Sequence, residues 1–431
     1  MNFRLPLAIL LCSSLAAAAE ERGPLNEHLP SWLSLGAQVR WRGEGQSGVG
    51  FQEGAESNYL LERYRFDVRV QPLEWMSFFG QFQDSRTGFL TRPDASVRDR
   101  ADVRQAYVML GRENGWWDVK AGRQRLIFGS ERVVGAAEWG NTARAFDAVR
   151  LALHHKGRRG DDRVDLFASS VVNNSTDAWD HHQQGNNLHG IYASMGSWLP
   201  GAKVEPYVLW RTAPRFVGEP GMAGAYGSWT YGLRSAGAAG RNWNYEAELL
   251  GQRGHIGNAD LRSYGATVQV QRHLRMLPWQ PTLLSEGNYA SGDRRAGDGV
   301  VNTLDQLYPT NHGIYGVADQ IGRRNNRNVR AGVWLHPEKR LTLKAEGHHF
   351  WLASAGDALY GASGAVLAPA VRGGASTTDI GKELDLLADL KLSRYTDFGF
   401  QFGHLFAGSF LKRYSPGADR GFYAVFLDFH M

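Results

Sequence analysis

Apolar and polar residues alternate along almost the whole chain, and this period of two is the feature that most constrains its fold. Between Leu60 and Pro72, for example, Tyr64, Phe66 and Val68 fall on one face, while arginines and an aspartate fall on the other. About 18 such segments, typically about 10–13 residues long, follow one another. Because successive side chains of a strand point to opposite faces, the pattern predicts an all-β fold with two chemically distinct surfaces.

A soluble β-sandwich also alternates, but three features favour a transmembrane antiparallel β-barrel of about 18 strands. The polar face carries paired and tripled charges, more than a solvent-exposed face needs. The segment lengths suit the roughly 9–11 residues of a tilted membrane strand. Aromatic residues cluster near segment ends, as in the girdles of outer-membrane barrels. With 43% hydrophobic residues and no run of 18 apolar residues beyond the N-terminus, the sequence excludes a bundle of membrane helices.

The connections between the segments are alternately short and long. Short turns are predicted at Pro72-Leu73, Glu113-Asn114-Gly115, Leu199-Pro200-Gly201, Ala238-Ala239-Gly240, Pro337-Glu338-Lys339 and Tyr395. Long loops are predicted at Glu44–Asn58, Arg86–Arg100, Arg125–Ala145, Asn173–Asn186, Ala213–Ala225, Ser291–Asn326, Ala353–Thr378 and Ala407–Asp419. This arrangement predicts short periplasmic turns, long extracellular loops and both termini on the periplasmic side.

The N-terminus has the features of a secretory signal peptide. Arg4 precedes the apolar run Leu5–Leu15, and Ala16–Ala19 offer an A-x-A cleavage site, so we expect a signal peptide at 1–19. The run is too short for an anchoring helix, and Leu11 before Cys12 does not fit a lipoprotein site. Because Cys12 is the only cysteine, the mature chain has no disulfide. Residues 20–431 are expected to form a single barrel domain, as a multi-pass protein of the Gram-negative outer membrane.

Four stretches resemble the alginate export family of outer-membrane proteins. They are "GRQRLIFGSERVVGAAEWGNTARAFDAVRL" (122–151), "ASGD" with the later "LDQLYPTNHGIYGVADQ" (290–293 and 304–320), "FWLASAGDALYGASGAV" (350–366) and "GKELDL" (381–386). The resemblance covers essentially the whole mature chain. It implies an 18-stranded barrel through which an anionic uronic-acid polymer crosses the outer membrane. The family is broader than its name, so the resemblance supports the fold more strongly than the substrate.

Cationic side chains are concentrated on the inward face of the first six segments. A barrel of this size has a water-filled lumen, and rings of arginine select anions because a guanidinium grips a carboxylate through two hydrogen bonds. The alternative is that these cations neutralise lumen carboxylates. The predicted pore-lining, substrate-binding residues are Arg40, Arg42, Arg63, Arg65, Arg69, Arg104, Lys120, Arg123 and Arg150.

The opposite part of the barrel has acidic residues on its polar face: Glu246, Glu248, Glu346, Glu383, Asp385 and Asp389. A basic wall facing an acidic wall produces a transverse field. That arrangement is more typical of a porin than of a uniform path for a polyanion, so an uptake porin for small anions or oligosaccharides remains an alternative to an exporter.

The loop Ser291–Asn326 is unusually long for a compact fold. We expect it to fold over or into the lumen as a constriction, because it carries apolar, stacking and charged groups that a disordered loop lacks. A surface loop without a role in transport is the alternative. The residues expected at the constriction are Asp305, Tyr308, His312, Tyr315 and Asp319.

Catalytic and metal-binding motifs find little support. Adjacent histidines such as His154-His155 point to opposite faces of a strand, and the register of Asp293, Asp298 and Asp305 does not match an EF-hand. No nucleophile or phosphate-binding motif occurs. We therefore expect no enzyme activity, no cofactor and no metal, although a barrel lipase or deacylase is a remoter alternative.

The expected partners follow from this interpretation. They are an anionic polysaccharide or oligosaccharide, outer-membrane lipid and, for an exporter, periplasmic secretion proteins. The net charge of +5 is too mild and too dispersed to indicate nucleic-acid binding. A monomer is expected.

Overall fold

The computed structural model describes residues 23–90, 93–112, 115–218 and 223–431; the predicted signal peptide lies outside these residues. The described residues form eighteen barrel strands. They are β1 (Leu33–Ser47), β2 (Glu56–Leu73), β3 (Met76–Gly88), β4 (Asp99–Leu110), β5 (Trp117–Gln124), β6 (Phe146–Lys156), β7 (Asp161–Asn173), β8 (His181–Leu199), β9 (Ala202–Val217), β10 (Ala223–Ala238), β11 (Trp243–Ile256), β12 (Ala259–His273), β13 (Thr282–Ala290), β14 (Asn326–Glu338), β15 (Leu341–Leu352), β16 (Asp379–Lys391), β17 (Thr396–Ala407) and β18 (Arg420–His430).

Each strand pairs antiparallel with its neighbours in sequence, and β1 closes the barrel against β18. In that closing pair Gln38 lies opposite His430 and Ser47 lies opposite Gly421. Closure satisfies the backbone hydrogen bonds of both terminal strands, so no sheet edge faces the lipid. The predicted all-β, 18-stranded antiparallel barrel is confirmed.

The two rims differ as predicted. The short-turn rim has connections such as 74–75, 200–201 and 339–340, whereas the long-loop rim has connections such as 125–145, 291–325 and 353–378. Two short turns, 157–160 and 274–281, were not predicted. The second contains Met276, Leu277 and Trp279, all exposed, and such an apolar composition resembles a strand. One connection on the long-loop rim, at 257–258, is only a tight turn.

The outer surface is a belt of exposed apolar side chains on alternate positions. Exposed tryptophans mark the short-turn rim: Trp32, Trp75, Trp116, Trp198, Trp243 and Trp279. Tryptophan is favoured where the hydrocarbon layer meets the headgroups, because its ring is apolar and its N–H is polar. No helix in the described residues is long and apolar enough to cross a bilayer.

Small elements shape the long loops. They are a 3-10 turn at Val49–Phe51, the helix α1 (Ser409–Tyr414), a two-residue strand Val300–Val301 that runs parallel to the start of β12, and a small hairpin of Leu359–Tyr360 with Val366–Ala368.

Two connections fold inside the barrel, the β5–β6 loop (125–145) and the β13–β14 loop (291–325), here called the lumen loops. Their apolar side chains pack together and against inward residues of β6 to β9. The loop residues in this cluster are Leu126, Phe128, Val133, Val134, Leu304, Leu307 and Tyr308. Burial of such side chains contributes about 1.5–3 kcal/mol each, which favours one fixed position for both loops.

Candidate functional site

The two lumen loops are joined by main-chain hydrogen bonds. The amide of Tyr308 donates to the carbonyl of Val133 (3.0 Å), and the amide of Gly135 donates to the carbonyl of Tyr308 (2.9 Å). Arg144 adds a side-chain bond to the same Tyr308 carbonyl (2.6 Å). The loops therefore form one unit, although about 170 residues separate them along the chain.

An aromatic stack extends this contact towards the lumen. The rings of Trp139 and His312 are nearly parallel, with centroids 3.9 Å apart. His312 is fixed on both sides, since Nδ1 lies 2.7 Å from the Asp319 carboxylate and Nε2 lies 2.8 Å from the side-chain oxygen of Gln401. Two of the residues expected at the constriction, His312 and Asp319, thus lie next to the β5–β6 loop.

The β13–β14 loop contacts inward side chains on strands from different sides of the barrel, so it spans the lumen. Asp305 pairs with Arg211 of β9 (2.6 Å), and Arg323 pairs with Glu248 of β11 (2.9 Å). At the far side, the Ala318 amide donates to Glu383 of β16 (2.9 Å).

The two tyrosines expected at the constriction are almost completely buried. The hydroxyl of Tyr308 donates to Asn186 (2.8 Å), whereas Tyr315 packs into an apolar cluster beneath the β15–β16 loop. Both anchor the loop from within, so neither ring is a free lumen surface.

Five arginines of the predicted basic wall form one group around the tip of the β5–β6 loop. This arginine cluster consists of Arg40 and Arg42 on β1, Arg63 and Arg65 on β2, and Arg104 on β4. Alternation aims all five inward, and the register of β1 against β2 places Arg40 directly opposite Arg63.

Main-chain carbonyls accept most of these contacts. Arg40 donates to the carbonyls of Glu138 (3.2 Å), Trp139 (3.0 Å) and Gly140 (3.2 Å). Arg63 donates to those of Glu138 (2.9 Å) and Gly140 (3.1 Å), and Arg42 donates to that of Trp139 (2.5 Å). Three guanidinium groups therefore hold one short stretch of backbone in place.

The carboxylate of Glu138 lies among the remaining guanidiniums. It is 2.9 Å from Arg65, 2.5 Å from Arg104 and 3.0 Å from Arg125, with Arg63 at 3.9 Å. Burial alone would raise the pKa of Glu138, but the surrounding positive charge outweighs it and holds that pKa well below its usual value. Glu138 is thus ionised at physiological pH.

The predicted pore-lining role needs correction for this cluster. Its five side chains do point inward, but they are nearly inaccessible beneath the β5–β6 loop and do not line an open lumen. Alternation fixes the direction of a side chain. It does not reveal that a loop from another part of the chain fills the space in front of it.

The other four predicted cations lie elsewhere. Arg69, Lys120 and Arg150 are in the half of the barrel nearer the short turns, where Lys120 lies over the ring of Tyr107 (4.3 Å). Arg150 pairs with Asp165 (3.4 Å) and Asp118 (3.7 Å).

Arg123 lies near the long-loop rim, paired with Asp147 (2.8 Å). The nine predicted residues therefore form three groups instead of one continuous path.

The acidic wall is built of ion pairs. Arg132 of the β5–β6 loop reaches Glu286 (2.8 Å) and Glu246 (3.3 Å). Arg330 lies 3.5 Å from Glu346, and Arg323 pairs with Glu248 as described above. The expected transverse field is therefore largely cancelled on this side by arginines, two of which come from the lumen loops.

The remaining predicted acids differ in environment. Glu383 and Asp385 are buried side by side on β16 and accept amide hydrogens of the β13–β14 loop, from Ala318 and Val317. Asp389, nearer the short turns, pairs with Lys344 (3.2 Å).

One acidic group was missed by sequence reasoning. The carboxylates of Asp99, Asp102 and Asp180 each place an oxygen within 4.8 Å of the others at the long-loop rim. Burial and the neighbouring Asp102 raise the pKa of Asp180 to about 6. The three residues come from separate segments, and no spacing in the sequence links them.

The aspartates considered for calcium are not brought together. Asp293 accepts the amides of Arg295 and Asn302, Asp298 caps the amide of Val300, and Asp305 binds Arg211. Each has a local structural role.

Glu138 and Trp139 were not singled out from the sequence, although both lie in the stretch that resembles the alginate export family. The available signal was a 21-residue connection containing the apolar run Val133-Val134. Such a loop has apolar surface to bury, and the same property predicts a position in the lumen for Ser291–Asn326.

Comparisons with known proteins agree with this architecture. A family model described as alginate export matches residues 31–423. No curated protein matches the sequence. Among solved structures, Pseudomonas aeruginosa OpdO is 11% identical, with 93% of this chain and 97% of that chain covered and a TM-score of 0.61.

Two further structures have the same likeness. Acinetobacter baumannii OccAB2 is 8% identical, with 93% and 98% of the two chains covered and a TM-score of 0.61. Pseudomonas aeruginosa OccK2 (OpdF), solved in complex with glucuronate, is 12% identical, with 93% and 96% covered and a TM-score of 0.55. At these identities the likeness shows the fold alone.

Proposed function

The chain belongs to the alginate export family and is a multi-pass β-barrel of the Gram-negative outer membrane; from this premise we propose that it passes anionic polysaccharide or oligosaccharide of the uronic-acid type. The observation that carries the proposal is the arginine cluster. Among the residues that the structure describes, two carboxylates, Glu44 and Glu138, lie within 4.0 Å of its five guanidiniums. The surplus of positive charge next to the lumen loops attracts an anionic solute.

Guanidinium chemistry suits a uronate in particular. Each sugar carries one carboxylate, which a guanidinium can bind through two parallel hydrogen bonds. The glucuronate in OccK2 shows that a barrel of similar fold holds such a sugar acid. Because OccK2 and this chain are only 12% identical, the complex supports uronic acids as the substrate class but does not indicate which residues of this chain bind them.

An uptake pore for small anions or oligosaccharides is the second candidate. Two joined loops across the lumen favour it, because they restrict the size of a solute that passes without loop movement. We propose the constriction role for the β13–β14 loop that carries Asp305, Tyr308, His312, Tyr315 and Asp319, with Tyr308 and Tyr315 holding this loop in place from within.

Transport without catalysis is part of the proposal. Glu246, Glu248, Glu286 and Glu346 are engaged by arginines, and Glu383 and Asp385 are buried against amides of the β13–β14 loop. None of these six is presented to a solute as the accessible carboxyl that a glycosidase needs to donate a proton to the leaving group. Export would add periplasmic secretion proteins as partners of the short-turn rim. We propose a monomeric barrel.

The test is solute flux through the purified full-length protein in liposomes. Oligouronates of two to six sugars are compared with neutral oligosaccharides of the same length. The proposal predicts faster flux of the oligouronate at every length and no new reducing ends. Equal or faster flux of the neutral sugar contradicts it, and released sugar ends would show an enzyme. If flux stops beyond disaccharides, the uptake-pore candidate is favoured over export.

A further inference from the structure

We propose that the arginine cluster is a carboxylate-binding site whose resting occupant is Glu138, and that the carboxylate of a passing uronate takes the place of this side chain. The inference rests on the proposed function and adds to it a specific site and a way of opening that site. Glu138 is then a built-in substitute for the ligand, as well as a tie between a loop and the barrel wall.

The contacts of Glu138 are those expected of a bound ligand carboxylate. One oxygen faces Arg104 and Arg125, and the other faces Arg65 and, at longer range, Arg63. Charge-assisted bonds of 2.5–3.0 Å on both oxygens are the geometry by which proteins recognise acidic ligands.

The site also has donors that Glu138 does not use. Arg63 Nε, Arg65 Nη2 and Arg104 Nε are buried and have no hydrogen-bond partner within the described part of the chain. Buried donors are normally satisfied, and leaving one unsatisfied is unfavourable. A sugar acid brings ring and hydroxyl oxygens in addition to its carboxylate, and these oxygens can accept such bonds.

Access to the site is through Glu138 itself. Its side chain is 27% exposed, whereas those of Arg63, Arg65 and Arg104 are at most 7% exposed. Arg125, which also faces Glu138, is partly exposed as well, so a solute in the lumen meets this carboxylate and Arg125 before it meets the three buried guanidiniums.

Exchange requires only the Glu138 side chain to move. The backbone at 138–140 is held separately, by the bonds that Arg40, Arg42 and Arg63 make to its carbonyls. The loop can thus keep its position while the carboxylate rotates away.

Charge balance couples the departure of Glu138 to the arrival of a ligand. If Glu138 left alone, Arg65 and Arg104 would lose their nearest carboxylate in a poorly solvated site, which is unfavourable. An incoming carboxylate restores the balance, whereas a neutral sugar does not. Replacement of Glu138 therefore requires an anionic group on the sugar, and this requirement selects uronates over neutral sugars.

The test is current block by D-glucuronate in planar bilayers containing the full-length protein. We expect Glu138→Gln to lengthen the dwell time of each glucuronate block by about tenfold, because the internal competitor is removed and the arginines remain. Glucose at the same concentration is expected to cause no block of either protein. Asp84→Asn is the matched control, since it removes one negative charge from the exposed pair with Arg86 and should behave as the parent.

A purely structural role for Glu138 predicts the opposite result. Unchanged or shorter glucuronate blocks in Glu138→Gln, at the parental conductance in KCl, would overturn the inference. If the KCl conductance of Glu138→Gln is higher than that of the parent, the β5–β6 loop has moved in this variant. The inference is then tested with Glu138→Asp. This variant keeps the charge but shortens its reach, so the inference predicts blocks longer than in the parent, and no lengthening contradicts it.

These outcomes are separate from those of the flux experiment. If oligouronates cross liposomes faster than neutral sugars but Glu138→Gln blocks as the parent does, this inference fails and the proposed function stands. If neutral sugars cross as fast as oligouronates, the proposed function fails first.

Discussion

The basic and the acidic walls of the lumen both hold loops, but they differ in how their charge is balanced. On the acidic wall, Glu246, Glu248, Glu286 and Glu346 each lie within 4.0 Å of an arginine: Arg132, Arg323 or Arg330. On the basic wall, three of five arginines hold the backbone carbonyls of residues 138–140. Neutral carbonyls fix the loop without cancelling charge, so we infer that positive potential remains on this side. The difference suggests that the acidic wall is chiefly structural and the basic wall is where solutes are selected.

The largest expected effect is that of deleting most of the β13–β14 loop, one of the two lumen loops held between the walls. Deleting residues 300–322 and joining the ends with a short Gly-Ser turn should leave the barrel folded, because every barrel strand keeps its antiparallel neighbours and β12 loses only its two-residue pairing with Val300–Val301. Without this segment the lumen widens, so single-channel conductance should rise severalfold and selectivity should weaken.

The control deletion is residues 52–54 of the β1–β2 loop, all three exposed. Heat-modifiable migration on gels checks folding of both variants. Parental conductance in a folded 300–322 deletion would show that this loop does not limit the pore.

Arg132→Gln tests the structural character of the acidic wall. It removes the partner that Glu246 and Glu286 share, although Arg234 still lies 3.2 Å from Glu246 and Arg330 lies 3.7 Å from Glu286, so the expected loss of stability is about 1.5–3 kcal/mol. Urea unfolding in lipid vesicles measures the change. Arg262→Gln, which breaks an exposed pair with Asp260, should cost less than about 1 kcal/mol. Equal stability of these two variants would contradict the structural role.

Arg104→Gln is the corresponding change on the basic wall, with a smaller expected loss of stability of about 1–2 kcal/mol. Three other arginines still face Glu138, so the loop keeps its anchor. The preference for anions, however, should fall clearly, whereas Arg132→Gln should change it less. If selectivity responds more strongly to Arg132 than to Arg104, the proposed difference between the walls is wrong.

The smallest effect concerns pH at the long-loop rim. The pKa of Asp180 in the folded protein, about 6, is above the value of about 3.9 expected in an unfolded chain. The proton is therefore bound more tightly in the folded state. Its stabilising contribution is fully present below about pH 4 and is lost as pH rises through 6.

Hydrogen exchange of residues 174–180 should accordingly show stronger protection at pH 5 than at pH 7.5, after correction for the intrinsic exchange rate. Asp180→Asn should remove the difference. A pH dependence that survives this substitution would assign it to another group.

The sequence was sufficient for the barrel because the information there is local and repeated. Alternation through β2 or β16 fixes which side chains face inward, and the contrast of short and long connections fixes the rims. The turn 274–281 was not predicted, because its apolar composition resembles that of a strand. The inward direction of all five arginines of the cluster was also correct.

What occupies the space in front of those arginines was beyond the sequence. Glu138 lies 34 residues from Arg104 and 98 from Arg40, and these contacts form only after the β5–β6 loop has folded into the lumen. The pairing of Val134 with Tyr308 joins segments still further apart. Neither periodicity nor motif spacing predicts such long-range contacts, because they depend on how much apolar surface each loop can bury.

The central claim, that uncancelled positive charge lies on one wall and selects anions, is tested most directly by the reversal potential of the unmodified protein. Planar bilayers with a tenfold KCl gradient at pH 7 measure it without a substrate and in either orientation. The account predicts a reversal potential shifted towards that of chloride, and a further shift in Glu138→Gln. A reversal potential on the potassium side in the unmodified protein would contradict the account, because the acidic wall would then dominate the pore.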